Sequence, residues 1–438
     1  MKFSKSGRIV LALLVTLGVG FGITSCSSDY TIGYLYVTGT ATDNSSSGQV
    51  TGFKISNNTG VLTQIPGSPF GTSGENPKRA LVLETGRFLY VLNQGDLTTG
   101  AGGNVALFFI GGRGALSFQS SYSSQGTAPV TIVADSSGNH IYVVDKYGPR
   151  FSSPGVLNAT PCVDPSGTPH PVGVVTVFTV DSNTGRLVLV TNTQQRDANN
   201  ANLTYFPVGC FPIDSAVAGG NLYTLQKGTA ATGDLQSVFV YSALGTGQLT
   251  LTANSTLATG AFNLTAIDTD GTNVYLLDAG PNPTSTTNVS QILPYTVGSG
   301  GALATAVGGV VQNDPTVQDP VALLVEARTH QFLYVANAGP NTSTDGTAAS
   351  SAISAFNRAQ NLQLSLFTTQ EPFPSGVSPR CIVEDPSNQY IYTANHDSNT
   401  VSGKLLNTSH GTLTPLRKAT TFPTGGNPTW CVVSSRTQ

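Results

Sequence analysis

Taken as a pattern of apolar and polar positions, the chain is a succession of short β-branched and aromatic runs separated by turns of Gly, Asn, Asp, Ser and Thr. Such a pattern predicts strands and hairpins rather than helices. Residues 76–93 state the unit. Asn76-Pro77-Lys78-Arg79 opens one apolar run, and Glu84-Thr85-Gly86 supplies the positive φ of a tight turn. Phe88-Leu89-Tyr90-Val91-Leu92-Asn93 then forms a second strand. The tyrosine of this unit recurs as Tyr36, Tyr90, Tyr142, Tyr223, Tyr275, Tyr334 and Tyr392, at gaps of 54, 52, 81, 52, 59 and 58 residues. Four strands fit into each copy. Self-similarity at that period predicts an all-β fold, a seven-bladed β-propeller of four-stranded blades.

A length of 438 residues would suggest about three domains on a prior of roughly 150 residues each. Repeats share one stacked core, so residues 33–438 are read instead as a single propeller. Blade one begins incomplete, with a second strand at 34–38 and no first strand before it. The C-terminal run Asn427-Pro428-Thr429-Trp430-Cys431-Val432-Val433 is a first strand with nothing after it. Joining the two closes the ring and removes open sheet edges. The long gap falls in blade three, where residues 147–172, rich in Pro, Gly and Ser, form an insertion.

Composition agrees with this: 49 Gly, 25 Pro, a single Met and 10% charged residues suit strands and turns. A net charge of −3 offers no basic face, which excludes nucleic acid as a partner. At the N-terminus, Lys2, Lys5 and Arg8 precede an apolar run at 9–23, so residues 1–25 read as an export signal. Ile23-Thr24-Ser25-Cys26 has the form of a bacterial lipobox. Cys26 would carry the lipid, residues 26–32 would be the tether, and the protein would sit at the cell envelope, held to a membrane. Four further cysteines, Cys162, Cys210, Cys381 and Cys431, would be disulfide-bonded in an oxidising compartment, although spacing alone allows three pairings. Cys162 leaves a second strand and Cys210 enters a first strand on the same face, which favours that pair. Cys381 and Cys431 then lie on the inner strands that ring closure makes neighbours. No Cys-x-x-Cys pair occurs, so no metal site or thiol redox chemistry is expected, and nothing calls for a cofactor.

In a propeller, the loops entering first strands and leaving second strands share one face. Second-strand ends are Asn93, Asp145, Gln226, Asp278, Asn337 and Asn395, with Lys78, Arg79, Lys146, Lys227, Arg380, His396 and Asp397 beside them. Short polar groups serve a turning backbone there in any case. The functional reading is an anion-binding mouth. Arg79 and Arg380, each just past an inner-strand Pro, would hold a carboxylate or phosphate, aided by Asn93, Asn337 and Asn395. Histidine ordinarily titrates near neutral pH, so His396 would move a proton, oriented by Asp145 or Asp278. Asp181-Ser182-Asn183-Thr184-Gly185 reads as a hairpin turn and not a calcium loop, since its twelfth position is Asn192. His140, His330 and His410 are expected as exposed turn residues on the opposite face. Neither a Gly-x-Ser-x-Gly elbow nor a phosphate-binding loop is present.

The Tyr-Val-x-Asn ends of second strands (90–93 and 334–337), the Gly-x-Leu-Thr fourth strands and the Asn-Pro openings resemble the seven-bladed lactonase-family propellers. That family includes bacterial 6-phosphogluconolactonase and the Tyr-Val-Thr-Asn surface-layer repeats. The resemblance covers residues 33–438 and implies a lactone hydrolase, or a binder of sugar-acid lactones, acting on an anionic or lactone small molecule. Lactonase members carry a Pro-His-x-His pair that this chain lacks; its nearest string is Thr168-Pro169-His170-Pro171, inside the insertion. The alternative is a non-catalytic envelope propeller presenting its face to a protein partner.

Overall fold

The computed structural model describes residues 30–42, 46–99, 101–149, 162–197, 199–227, 237–243, 245–252, 257–258, 261, 263–280, 290–339, 351–367 and 372–435. The expected signal segment and Cys26 lie outside these residues, as does the middle of the blade-three insertion.

Seven antiparallel sheets follow one another along the chain, each with the order inner, second, third and outer strand. Blade two shows the unit: Pro77–Val82, Phe88–Asn93, Asn104–Ile110 and Leu116–Ser123. Blade one takes its inner strand, Gly426–Ser434, from the C-terminus, where it pairs with Thr31–Ala41 in a register that sets Tyr36 opposite Val432. Each inner strand touches those of both neighbouring blades, and the ring is closed. Two disulfides join the expected partners, Cys162 with Cys210 and Cys381 with Cys431, at Cα separations of 5.4 and 5.9 Å. The second bond bolts the inner strands of blades seven and one at the closure.

The apolar core is divided among the interfaces between blades, one cluster to each pair of neighbours. The repeating tyrosines are fully buried in these clusters and face a common problem: a buried hydroxyl needs a partner. Tyr36 donates to Gly114 O at 2.8 Å, Tyr90 to Gly185 O at 2.8 Å, Tyr223 to Gly301 O at 3.0 Å, Tyr334 to Gly411 O at 2.7 Å and Tyr392 to Gly60 O at 2.7 Å. Every acceptor is the glycine in the third-to-outer hairpin of the next blade. At Gly411, with φ +70°, a Cβ would stand 2.4 Å from the ring of Phe332, so any larger residue would push the blades apart. Blade six breaks the rule, since Leu362 takes the glycine position at φ +67°. There Tyr275 instead accepts from Arg358 Nε at 2.6 Å and donates to Asp270 at 3.1 Å, and Arg358 pairs with Asp270.

Two features were not legible in advance. In six blades a short strand in the connection to the next blade, such as Phe70–Glu75 or Thr421–Pro423, pairs back on the third strand. Most outer strands are too short to cover that edge, whereas in blade two Leu116–Ser123 covers it alone. His140 is buried rather than exposed, its Nδ1 2.8 Å from Asp135. The Asp181 turn is as expected, with Asp181 accepting from the Asn183 and Thr184 N–H groups.

Replacing Tyr334 with Phe leaves Gly411 O buried without its donor and should lower unfolding free energy by roughly 1–3 kcal/mol. Denaturant melts that match those of the parent protein would show that these bonds do not couple the blades.

Candidate functional site

The mouth of the channel is shaped by an irregularity repeated in all seven inner strands. The register slips by one residue near the start of each, leaving Lys78, Val130, Ile213, Thr265, Val321, Arg380 and Thr429 as the bulged positions. In five blades the strand opens on Pro preceded by a residue of positive φ: Asn76, Ala128, Phe211, Asp319 and Ser378, at +49° to +55°. Pro withholds an N–H where the ladder ends, and the bulge re-aims the side chains that follow it. The bulge therefore carries a cation in blades two and seven, on either side of blade one.

Arg79, next after the bulged Lys78, reaches across the channel. Its guanidinium lies 3.8 Å over the ring of Trp430 in blade one and 2.9 Å from Asp214 in blade four. Asp214, almost fully buried, also accepts from Ser215 N–H at 2.8 Å and from Ile267 N–H of blade five at 3.2 Å. Arg79 is thus engaged by the protein itself and forms a floor to the mouth, in contrast to its expected place as a ligand-binding group. Asp268, on the inner strand of blade five, is enclosed by protein, which raises its carboxyl to about 7; Asp214 adds to the rise, and the Thr269 N–H and Arg79 oppose it. Lys78 and Arg380 remain exposed at the mouth and make no ion pair among the described residues. Although its surface is open to the mouth, the surrounding channel walls displace water from the Lys78 ammonium and, with the charges of Arg79 and Arg380, hold it below its usual range, with Asp214 working against them.

Beside Arg380, the loop after the second strand of blade seven holds a dyad. His396 Nδ1 lies 2.6 Å from Asp397 Oδ1, and Ser378 donates its hydroxyl to the other oxygen of Asp397. Backbone bonds from His396 N–H to Ser378 O and from Asp397 N–H to Val377 O pin this loop to the start of the inner strand. Burial alone would raise Asp397, but the hydrogen bonds from Ser378 and His396 and the charges of His396 and Arg380 hold it low. An ionised Asp397 favours the tautomer that carries the His396 proton on Nδ1. Asp319 of blade six, raised by burial, also feels the Arg380 charge.

The second-strand ends lie elsewhere. Asn93, Asp145, Asp278, Asn337 and Asn395 are all fully buried, and the three asparagines bond to the third strand beside them. Asn93 donates to Asn104 at 2.8 Å, Asn337 to Ala352 O at 3.1 Å, and Asn395 to Ser402 at 3.0 Å. Asp278 accepts from Asn263 N–H at 2.9 Å and Gln291 at 2.8 Å. Asp145 and Asp278, in blades three and five, are not brought to His396, whose carboxylate partner is Asp397. Aligning the repeats exposes Asp214, which stands two residues past its Pro just as Arg79 does. Nothing in the sequence marks Asp268.

A family model described as "Lactonase, 7-bladed beta-propeller" matches residues 34–150 and 309–433, together more than half of the chain. No curated protein matches it. Among solved structures, the chain is similar to the periplasmic gluconolactonase of Pseudomonas aeruginosa, with 17% identity and a TM-score of 0.60, over 92% of this chain and 99% of that one. A candidate 6-phosphogluconolactonase from Bacteroides fragilis gives 15% identity and a TM-score of 0.60, over 94% and 99%. A protein from Lactobacillus plantarum gives 17% and 0.60, over 92% and 99%. At these identities the likeness is one of fold.

Asp145 yields a prediction from burial. Loss of water raises its carboxyl from 3.8 to about 7, against the opposing influence of Ser124, Gly126 N–H and Thr176. Between those values the folded chain keeps a proton that the unfolded chain has lost. The resulting stabilisation is complete below about pH 4 and is lost as pH rises through about 7. Blades two, six and seven carry Asn at this place. Asp145→Asn should therefore raise unfolding free energy above pH 7 by roughly 1–4 kcal/mol and flatten its pH dependence. Thermal melts at pH 5 and pH 8 check this; an equal or larger pH dependence in the variant would contradict it.

Proposed function

The chain belongs to the lactonase family of seven-bladed β-propellers, and from that premise we propose that it binds a lactone at the channel mouth and opens it by hydrolysis. The observation that carries this reading is the His396–Asp397 dyad, 2.6 Å between ring nitrogen and carboxylate, standing beside Arg380, which makes no ion pair among the described residues. His396 Nε2 takes a proton from water as the water oxygen attacks the lactone carbonyl carbon. Arg380 and Lys78 stabilise the oxyanion that forms, or hold an acidic substituent of the ligand. The ring C–O bond then breaks, and the leaving alkoxide receives the proton from His396. The product is a hydroxy acid that releases a proton to solvent near neutral pH. The floor made by Arg79, Asp214 and Trp430 supports this reading, because it keeps the ligand at one face of the ring.

Protein lacking residues 1–26 can be screened against γ- and δ-lactones of sugar acids by proton release, with binding followed by the fluorescence of Trp430, the single tryptophan of the chain. His396→Ala should slow turnover by about 10²–10⁴-fold with little change in binding. Arg380→Ala should weaken binding by roughly 1.5–3 kcal/mol. A panel in which no lactone is opened or bound would leave the mouth as a surface for another partner.

The proposal extends to location. Through a lipid on Cys26 the propeller would be held at the cell envelope, a reading supported by the charged and apolar pattern of residues 1–25. Changing Cys26 to Ala should move the protein from the membrane fraction to the soluble fraction on cell fractionation; unchanged partitioning would reject the anchor.

A further inference from the structure

The place at which the chain enters the propeller is fixed by a two-way bond. Tyr30 N–H donates to Asn57 Oδ1 at 3.0 Å, and Asn57 N–H donates to Tyr30 O at 3.0 Å. Asn57 belongs to the third-to-outer hairpin of blade one, on the face opposite the mouth. From there Thr31–Ala41 runs to the mouth face. At about 3.3 Å per residue this strand separates the two faces by roughly 33 Å. Only Ser27, Ser28 and Asp29 lie between Cys26 and Tyr30. Fully extended, those steps span at most about 14 Å. A lipid on Cys26 would therefore bring the face of Tyr30 to the bilayer, because so short a tether cannot reach along the strand to the mouth.

That face carries a cleft between blades one and two whose chemistry suits a lipid phosphate. Its volume is about 410 Å³, and it is lined by Lys54, Ile65, Pro66, Arg113 and Ala115. Lys54 stands on the third strand of blade one, opposite Tyr34 in the register. Arg113 stands in the hairpin between Asn104–Ile110 and Leu116–Ser123 of blade two. This hairpin is held to blade one by the tyrosine hydroxyls, Tyr34 donating to Gly112 O and Tyr36 to Gly114 O, each at 2.8 Å. The backbone under Arg113 is thus set firmly beside the strand that the tether enters. Neither Lys54 nor Arg113 makes an ion pair among the described residues, and the lining residues include no carboxylate. Arg87, exposed in the first-to-second hairpin of blade two, adds a third cation, with Glu84 the one acid of that turn. Ile65, Pro66 and Ala115 give the cleft an apolar wall, which favours a phosphate carried on an organic backbone over a bare ion. Tyr30 is itself exposed, and an amphipathic ring suits the boundary between water and headgroups.

We propose that this face docks on an anionic lipid surface at blades one and two, with a phospholipid phosphate held between Lys54 and Arg113. The inference rests on the lipid anchor for the tether that brings the surface within reach, and on the cleft for the charge that meets it. Its consequence is orientation: the mouth opens away from the bilayer, and its ligand arrives from the surrounding solution.

Two measurements test this. In the first, protein lacking residues 1–26 is sedimented at low salt with vesicles of phosphatidylglycerol and phosphatidylcholine, and beside them with vesicles of phosphatidylcholine alone. Binding to the anionic vesicles is expected to be the tighter, and Lys54→Ala and Arg113→Ala should each weaken it by about five-fold. Lys227→Ala, on the mouth face, should leave it unchanged. In the second, hydrogen exchange is followed in the lipid-bearing full chain on the anionic vesicles. The hairpins at 57–60 and 111–114 should exchange more slowly than in the shortened protein, while the mouth loop at 396–399 exchanges alike in both. Equal binding to the two vesicle types, or an equal loss with Lys227→Ala and Arg113→Ala, would overturn the docking surface. Slowed exchange at the mouth in place of the hairpins would also overturn it and leave the anchor standing. A full chain that carries no lipid, with the shortened protein still preferring anionic vesicles through Lys54 and Arg113, would remove the anchor and uphold the surface.

Discussion

The hydrogen bond from a buried tyrosine hydroxyl to a glycine carbonyl of the next blade is the constraint on which the ring depends. A tyrosine supplies the bulk that fills the interface, but its hydroxyl cannot be left unmet away from water. At five interfaces the backbone that meets it is a glycine of the neighbouring hairpin, at a place where a Cβ would stand within 3 Å of packed side chains. Packing and polar satisfaction therefore select the same pair of residues, and neighbouring blades cannot slide past one another without breaking both. Blade six shows the strength of the requirement. With Leu362 in the glycine position, the Tyr275 hydroxyl is met by Arg358 and Asp270 instead, an ion pair introduced into an interface that is apolar elsewhere.

The same economy separates scaffold from site on the face that carries the mouth. The last residue of the second strand is buried, and in blades two, six and seven its side chain bonds to the neighbouring third strand, as Asn337 does with Ala352 O and Ser354. The residue after it is released to the rim, and the bulge one step past each inner-strand proline does the same from the other side. Charged and ionisable side chains are consequently found one position away from the most regular polar residues: at His396 rather than Asn395, at Lys146 rather than Asp145, at Arg380 rather than Pro379. Since every blade offers the same pair of positions, the character of the mouth depends on which blades fill them with charge.

Seven blades, ring closure by the C-terminal strand and the pairing of Cys381 with Cys431 were legible in the sequence because each follows from strand periodicity and from the order of strands within a repeat. Neighbours along a strand and neighbouring blades in a ring are fixed by counting. That Arg380 and His396 share one face follows from the same counting. The burial of Asn93, Asn337 and Asn395 was not legible, because a polar residue at a strand end looks the same whether it turns to the loop or to the channel. Only the three-dimensional path of the loop decides between them.

Contacts across the channel are decided by tertiary structure alone. Arg79 of blade two meets Trp430 of the neighbouring blade one and Asp214 of blade four, which shares no interface with blade two, so no local rule connects the three. Asp397 rather than Asp145 or Asp278 serves His396 because distance across a ring of seven outweighs similarity of position within the repeat. The sequence by itself determined what each blade is and how the blades are ordered, since strands, turns and hairpins are short-range objects. Which side chains converge at the centre was left to the closed ring, because its curvature sets the distances over which charges act.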